Sequence, residues 1–250
     1  MLKNQTTGAI ITGIFFIAAT VSAIIGRMLY SPLLNENNYL IEGAKHANMI
    51  TGGGLAETIT CCANIGTAIM LYPLLRKYNE SIGIGYVCFR FLEVVFIAIG
   101  VISMLTLLTV SNKVMQSDLD ISQANTTGQT LKAIYEWSFL LGPNFILGIN
   151  TILYSFTFYK TRIVPKPLAA WGITGAILIF IAGVLQIFGT IEPLSVTQIL
   201  MAMPIAIFEM TLAGWLITKG FSTQSINNTL STKNSLLPPL SFMDKLKSEK

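Results

Sequence analysis

Residues 83 to 110 read GIGYVCFRFLEVVFIAIGVISMLTLLTV, an almost unbroken apolar run whose only charges are Arg90 and Glu93. About 20 apolar residues in a helix cross the roughly 30 Å hydrocarbon core of a bilayer, so this stretch is long enough to span it with tilt. It lacks sustained period-2 alternation, which argues against a strand of a β-barrel. A helix bonds every backbone group within its own segment, as lipid requires. Working outward, five more apolar segments follow the same logic, at about 9–30, 47–73, 131–158, 167–190 and 196–218. The expectation is an all-α integral membrane protein, a single bundle of six transmembrane helices over residues 1–221, with a polar tail at 222–250.

Composition agrees. Hydrophobic residues make up 52% of the chain and charged residues 11%, against about a quarter charged in soluble domains. The net charge of +4 does not point to nucleic acid. Its basic residues lie in short loops and the tail, with no basic face to follow phosphates. Cys61, Cys62 and Cys88 fall inside apolar stretches without metal or disulfide spacing, and read as small residues packing in the core. The first apolar run continues past Val21-Ser22-Ala23 and exceeds a signal-peptide core of about 7–15 residues, so it is expected to remain as the first helix.

Basic residues give the orientation. The N-terminus, the 74–82 and 159–166 loops and the C-terminal stretch together hold eleven of the sixteen Lys and Arg, whereas the loops on the other side hold three. Lys/Arg excess marks the cytoplasmic side, so both termini are expected inside (N-in/C-in). Gly142-Pro143 and Pro204 predict kinks in the fourth and sixth helices, and Pro73 reads as a helix-end residue. The Ser-, Thr- and Asn-rich stretch after residue 221 is expected to be disordered.

Ionisable groups at membrane depth cost about 3 kcal/mol or more each and mark function by default. At 1.5 Å per residue, Arg90 and Glu93 lie roughly 12 and 16 Å from the basic side and Glu209 roughly 15 Å. Arg90 could therefore meet Glu209 if helices three and six are neighbours. Glu57 belongs in the outer half, and Arg27 and Glu136 near the outer interface. Tyr86, Arg90, Glu93, Ile97 and Gly100 share one helical face, as do Gly54, Glu57, Cys61, Asn64 and Ala68. Asn144, Gly148, Thr151 and Ser155 form a polar stripe in the fourth helix, and Ala202, Ala206, Glu209 and Ala213 one in the sixth. The four are expected to converge on one polar core comprising Arg90, Glu93, Glu209, Glu57, Asn64, Asn144 and Tyr86. That core either binds a small solute, a lipid-like molecule or an ion, or locks helices three and six together, with Asn64, Asn144 and Asn150 as interhelical hydrogen bonds. An intramembrane carboxylate enzyme is a third reading, needing Glu57 and Glu93 face to face. His46 is the sole histidine, and no H-E-x-x-H, G-x-S-x-G or P-loop is present, so no metal or cofactor is expected. The expected partners are the bilayer and a small ligand.

Several stretches in shared order carry a family resemblance. Gly85-Tyr86-Val87-Cys88-Phe89-Arg90-Phe91-Leu92-Glu93 with Gly100-Val101-Ile102-Ser103, preceded by Leu71-Tyr72-Pro73-Leu74-Leu75, is one group. Trp137-Ser138-Phe139-Leu140-Leu141-Gly142-Pro143, Gly148-Ile149-Asn150-Thr151 and Phe208-Glu209 with Trp215-Leu216-Ile217-Thr218-Lys219-Gly220-Phe221 complete it. Over roughly residues 7 to 221 the chain resembles an uncharacterised bacterial membrane-protein family, domain of unknown function 4386. The resemblance implies a multi-pass protein of the bacterial cytoplasmic membrane, and that Arg90, Glu93, Glu57 and Glu209 match charged positions of the family. It brings no activity, cofactor or ligand. Glu136 departs from the pattern, which has His or Asp before the Trp.

Overall fold

The computed structural model describes residues 2–193 and 195–222. The tail expected at 222–250 therefore lies, apart from Ser222, outside the described residues. Among the described residues, nine α-helices and one π-helical turn are formed: α1 (Leu2–Leu29), α2 (Ser31–Leu34), α3 (Tyr39–Lys45), α4 (Ala47–Tyr78), α5 (Glu80–Met115), α6 (Ile121–Phe139), the π turn (Leu140–Ile146), α7 (Leu147–Thr161), α8 (Lys166–Ile187) and α9 (Val196–Thr218). Six stretches are long and apolar enough to cross a membrane: Thr7–Leu29, Ala47–Tyr78, Glu80–Met115, Ile121–Thr161, Lys166–Ile187 and Val196–Thr218. Short connections make each span antiparallel to the last.

Local chemistry sets the ends. Asn79 Oδ1 accepts from Ile82 N at 3.2 Å and Asp120 Oδ1 from Ser122 N at 2.8 Å, each capping the helix that follows. Asp120 starts the fourth span at Ile121, so its polar beginning is helical too. Arg162 ends α7 in the left-handed region at φ 57°, and Gly220 follows α9 at φ 70°.

Pro73 departs from expectation: it is inside α4, which continues to Tyr78, whereas Pro204 lies within α9 as the sequence places it. Pro143 falls in the π turn, whose extra residue per turn accommodates the missing N–H and the ring's clash with the preceding carbonyl.

The spans close into a ring in chain order, each packing on the next, and α9 returns to pack on α1. Small residues make the seams. A methyl group on Gly13 would stand 2.8 Å from the Ala213 carbonyl oxygen of α9, and one on Gly148 would stand 2.9 Å from that of Ala176 in α8. Ser22 and Thr60 hydroxyls bond at 2.7 Å across α1 and α4.

The two ends of the ring are filled differently. At the end carrying the basic loops, Leu71, Leu75, Tyr86, Tyr154, Phe158, Phe208, Leu212 and Leu216 form a continuous core. Tyr154 is its hub, with ring centroids 5.9 Å from Phe16, 5.9 Å from Tyr86 and 6.2 Å from Phe208, which joins α1, α5, α7 and α9. At the other end, α2 and α3 fold over one side of the bundle. There Lys132 Nζ donates to the Leu34 carbonyl at 3.1 Å and lies 4.6 Å from the Tyr39 ring centroid. Cys62 and Cys88 are exposed on the outside of the bundle and only Cys61 is half-buried, which corrects the core-packing reading. Their stretches are apolar all round because one face meets lipid, so an apolar neighbourhood in the sequence did not mean an interior position.

Gly13 and Gly214 test the α1–α9 seam. Gly13→Ala should lower stability by about 1–3 kcal/mol through forced separation of the helices. Gly214, with nothing within 4 Å of an added methyl, should accept Ala with unchanged or raised stability. Thermal unfolding of the two variants in detergent provides the comparison.

Candidate functional site

Of the sequence-predicted residues, Arg90, Glu93, Asn64 and Glu209 border one part of a cavity, Glu57 and Asn144 line it elsewhere, and Tyr86 lies behind Arg90. Arg90 and Glu93, on adjacent turns of α5, are only 2% and 3% exposed. Arg90 Nη1 lies 3.1 Å from Glu93 Oε2, an i,i+3 ion pair within one helix. The expected Arg90–Glu209 pair is not formed. α9 packs on α8 and α1, across the ring from α5, and the neighbouring turn supplies Glu93 without any change in helix order.

Glu93 has no free oxygen. Oε1 accepts from Asn64 Nδ2 at 3.4 Å and Oε2 from Asn150 Nδ2 at 2.6 Å, in addition to the Arg90 contacts. Arg90 Nη1 also donates to Asn64 Oδ1 at 3.3 Å, and its Nη2 to Tyr86 Oη at 3.5 Å. Tyr86 Oη then donates to Thr67 Oγ1 at 3.4 Å. The network ties α4, α5 and α7 at one depth. With both oxygens occupied, Glu93 is a poor candidate for the acid–base partner that a carboxylate enzyme would need.

Beside this network is a cavity of about 660 Å³ lined by every span. Arg90, Glu93, Asn64 and Glu209 border its deep part. Glu57, Tyr135, Ser138 and Arg27 line it further along, and Ser31, Leu34 and Asn35 stand at the end opposite the basic loops. The rings of Phe16, Phe96 and Phe139 and the side chains of Ile179 and Ile205 make its walls largely apolar. Asn144 also borders it, donating to Gln186 Oε1 at 3.3 Å. Tyr86 lies behind Arg90, within the packed half.

Three residues that the sequence reading left out of the core belong to this site. Asn150 binds Glu93, Tyr135 Oη donates to Glu57 Oε1 at 3.1 Å, and the Arg27 guanidinium lies 4.5 Å from the Phe139 ring centroid. Asn150 is expected from the sequence as an interhelical hydrogen bond of the lock reading, off the polar stripe of the fourth helix. The π turn inserts a residue between Asn144 and Asn150 and rotates everything after it, so one 3.6-residue stripe cannot describe both sides.

Glu209 differs from the other two carboxylates. It is half-buried, faces the cavity, and makes no hydrogen bond or ion pair among the described residues. No three His, Cys, Asp or Glu side chains converge as a metal site among the described residues.

The sequence model of the family described as Domain of unknown function (DUF4386) matches residues 11–220. The chain belongs to that family. No curated protein and no solved structure matches it.

Neutralising the two deep carboxylates should separate their roles. Glu93→Gln leaves the Arg90 charge buried without its counter-ion and should cost about 3–5 kcal/mol. Glu209→Gln removes a charge that bonds to nothing and should leave the melting temperature unchanged or higher. Equal destabilisation by both would contradict the assignment.

Proposed function

With family membership as the premise, we propose that this chain is a multi-pass membrane protein that binds a small ligand in its central cavity, with Glu209 as the recognising group. The observation that carries this is the unpartnered Glu209 carboxylate facing a cavity of about 660 Å³, a size within the roughly 300–1,000 Å³ of small-molecule sites. A charge held at membrane depth for stability alone would have a partner, as Glu93 has. Arg90, Glu93, Asn64 and Asn150 form the rigid floor, while Glu57 with Tyr135 lines the wall nearer the mouth. Asn144 supplies a further polar point.

The basic-loop asymmetry supports a cytoplasmic N-terminus and cytoplasmic 74–82 and 159–166 loops. The mouth at Ser31 and Asn35 then opens away from the cytoplasm. Beneath the cavity, the aromatic core around Tyr154 seals the cytoplasmic half, so this arrangement is a binding cup closed on one side. The alternative, in which the buried charges only hold helices together, is favoured for one part of the site. The Glu93 network joins three helices, and its role is structural support for the cup.

Cysteine accessibility tests this reading. On a background lacking Cys61, Cys62 and Cys88, Thr60→Cys in the cavity should react with a membrane-impermeant maleimide applied from the non-cytoplasmic side, whereas Leu71→Cys in the packed half should not. Unreactive Thr60→Cys, or labelling only from the cytoplasmic side, would overturn the reading.

A further inference from the structure

The cavity lies beside lipid as well as open to one end. On α1, Ala23 and Arg27 face the cavity, while Ile24 and Met28 both line it and are 56% and 67% exposed. On α9, Ala206 likewise lines the cavity and is exposed. These residues mark where the cavity wall becomes the outer surface of the bundle. The two helices approach closely at Gly13 and Ala213, near the basic end. Farther along, each leans on its other neighbour. Gly26 of α1 is tight against Gly53 and Glu57 of α4, and Ile205 of α9 against Gly175 of α8.

The electrostatics of the cavity are as specific as its shape. Of the five charges lining the cavity, Arg90 is matched by Glu93, and Arg27 stands beside the Tyr135 that hydrogen-bonds Glu57, so Glu209 is the carboxylate left for a ligand. Phe16 and Phe96 line the same cavity, and aromatic rings attract an ammonium by their quadrupoles in addition to the pull of a carboxylate. An anion would meet an unmatched negative charge, and a neutral alkane would leave it buried and unsolvated.

We infer that the ligand is a lipophilic monocation, an alkylammonium-type molecule whose cationic head seats at Glu209 and whose apolar tail leaves the cavity between α1 and α9 into the surrounding lipid. This inference rests on the reading of the cavity as a ligand site. The apolar walls accept the part of the tail near the head, and Ile24, Met28 and Ala206 form an apolar rim, with the neighbouring Arg27 guanidinium held over the Phe139 ring. Entry from the bilayer spares the ligand a crossing of the packed cytoplasmic half.

The test uses the full chain in phosphatidylcholine nanodiscs with two probes of the same head group, dodecyltrimethylammonium and tetramethylammonium, measured by equilibrium binding. Dodecyltrimethylammonium should bind saturably, and Glu209→Gln should weaken it roughly tenfold or more, which also subtracts simple partition into lipid. Tetramethylammonium should bind at least roughly tenfold more weakly to the wild type. A dodecyltrimethylammonium analogue with a diazirine at the tail end should photolabel the Ile24–Met28 segment or the Ala202–Ala206 segment. Equal Glu209-dependent binding of both cations, or labelling confined to the Phe96 or Ser138 walls, would overturn the lateral arrangement and leave the cavity site standing. Absence of Glu209-dependent binding by either cation, with Thr60→Cys still reactive, would overturn the ligand class alone. Unreactive Thr60→Cys would remove the underlying reading itself.

Discussion

Glu93 is almost wholly buried at the floor of the cavity, where protein groups must satisfy it, and everything bonded to it is held there by the same requirement. A carboxylate at that depth must have each oxygen occupied, and here one arginine and two asparagines from three helices fill the positions. The outcome is a cross-brace at mid-membrane. Helices α4, α5 and α7 cannot rotate or slide independently without leaving either Glu93 or Arg90 uncompensated. That brace explains how the bundle can hold a large cavity beside it: the ring is kept open by a polar joint on one side and by aromatic packing below.

The distribution of material along the membrane normal follows. Around Tyr154, aromatic rings from four helices fill the basic half. In the other half, the ring is bordered by small or flexible groups such as Ala19, Thr60, Gly100 and Ala202, which reach too little to fill the middle. Glu209 lies at the boundary between the two. Its position explains why a residue that could easily be Gln in a purely structural role is instead ionisable and turned toward open space.

Much of this was legible in the chain. Six long apolar runs with short loops leave few alternatives to a six-span bundle, because lipid forbids unpaired backbone. Arg90, Glu93, Glu57 and Glu209 stood out for the same reason: a charge in such a run is costly and therefore conspicuous. Partner choice was less legible. Glu209 and Glu93 both lie within reach of Arg90 in depth, and only the ring order, with α9 between α8 and α1, decides for Glu93. Asn150 was legible as an interhelical bond but not as a partner of Glu93, because a π turn at Pro143 shifts the helical register and nothing in local composition counts that extra residue. Tyr135 and Arg27 sit in a polar-to-apolar transition near the end opposite the basic loops, where amphipathic side chains normally anchor at the interface. Cys62 and Cys88 were misplaced because, in lipid, the outside of a bundle is as apolar as its core.

The central claim is that Glu209 is kept for a ligand. Native mass spectrometry of the protein released from nanodiscs made with its own host lipids tests it most directly. The account predicts a bound small-molecule mass on the wild-type chain that is lost in Glu209→Gln, while both proteins remain folded. An identical spectrum for the two, with the same bound mass or with none, would contradict it.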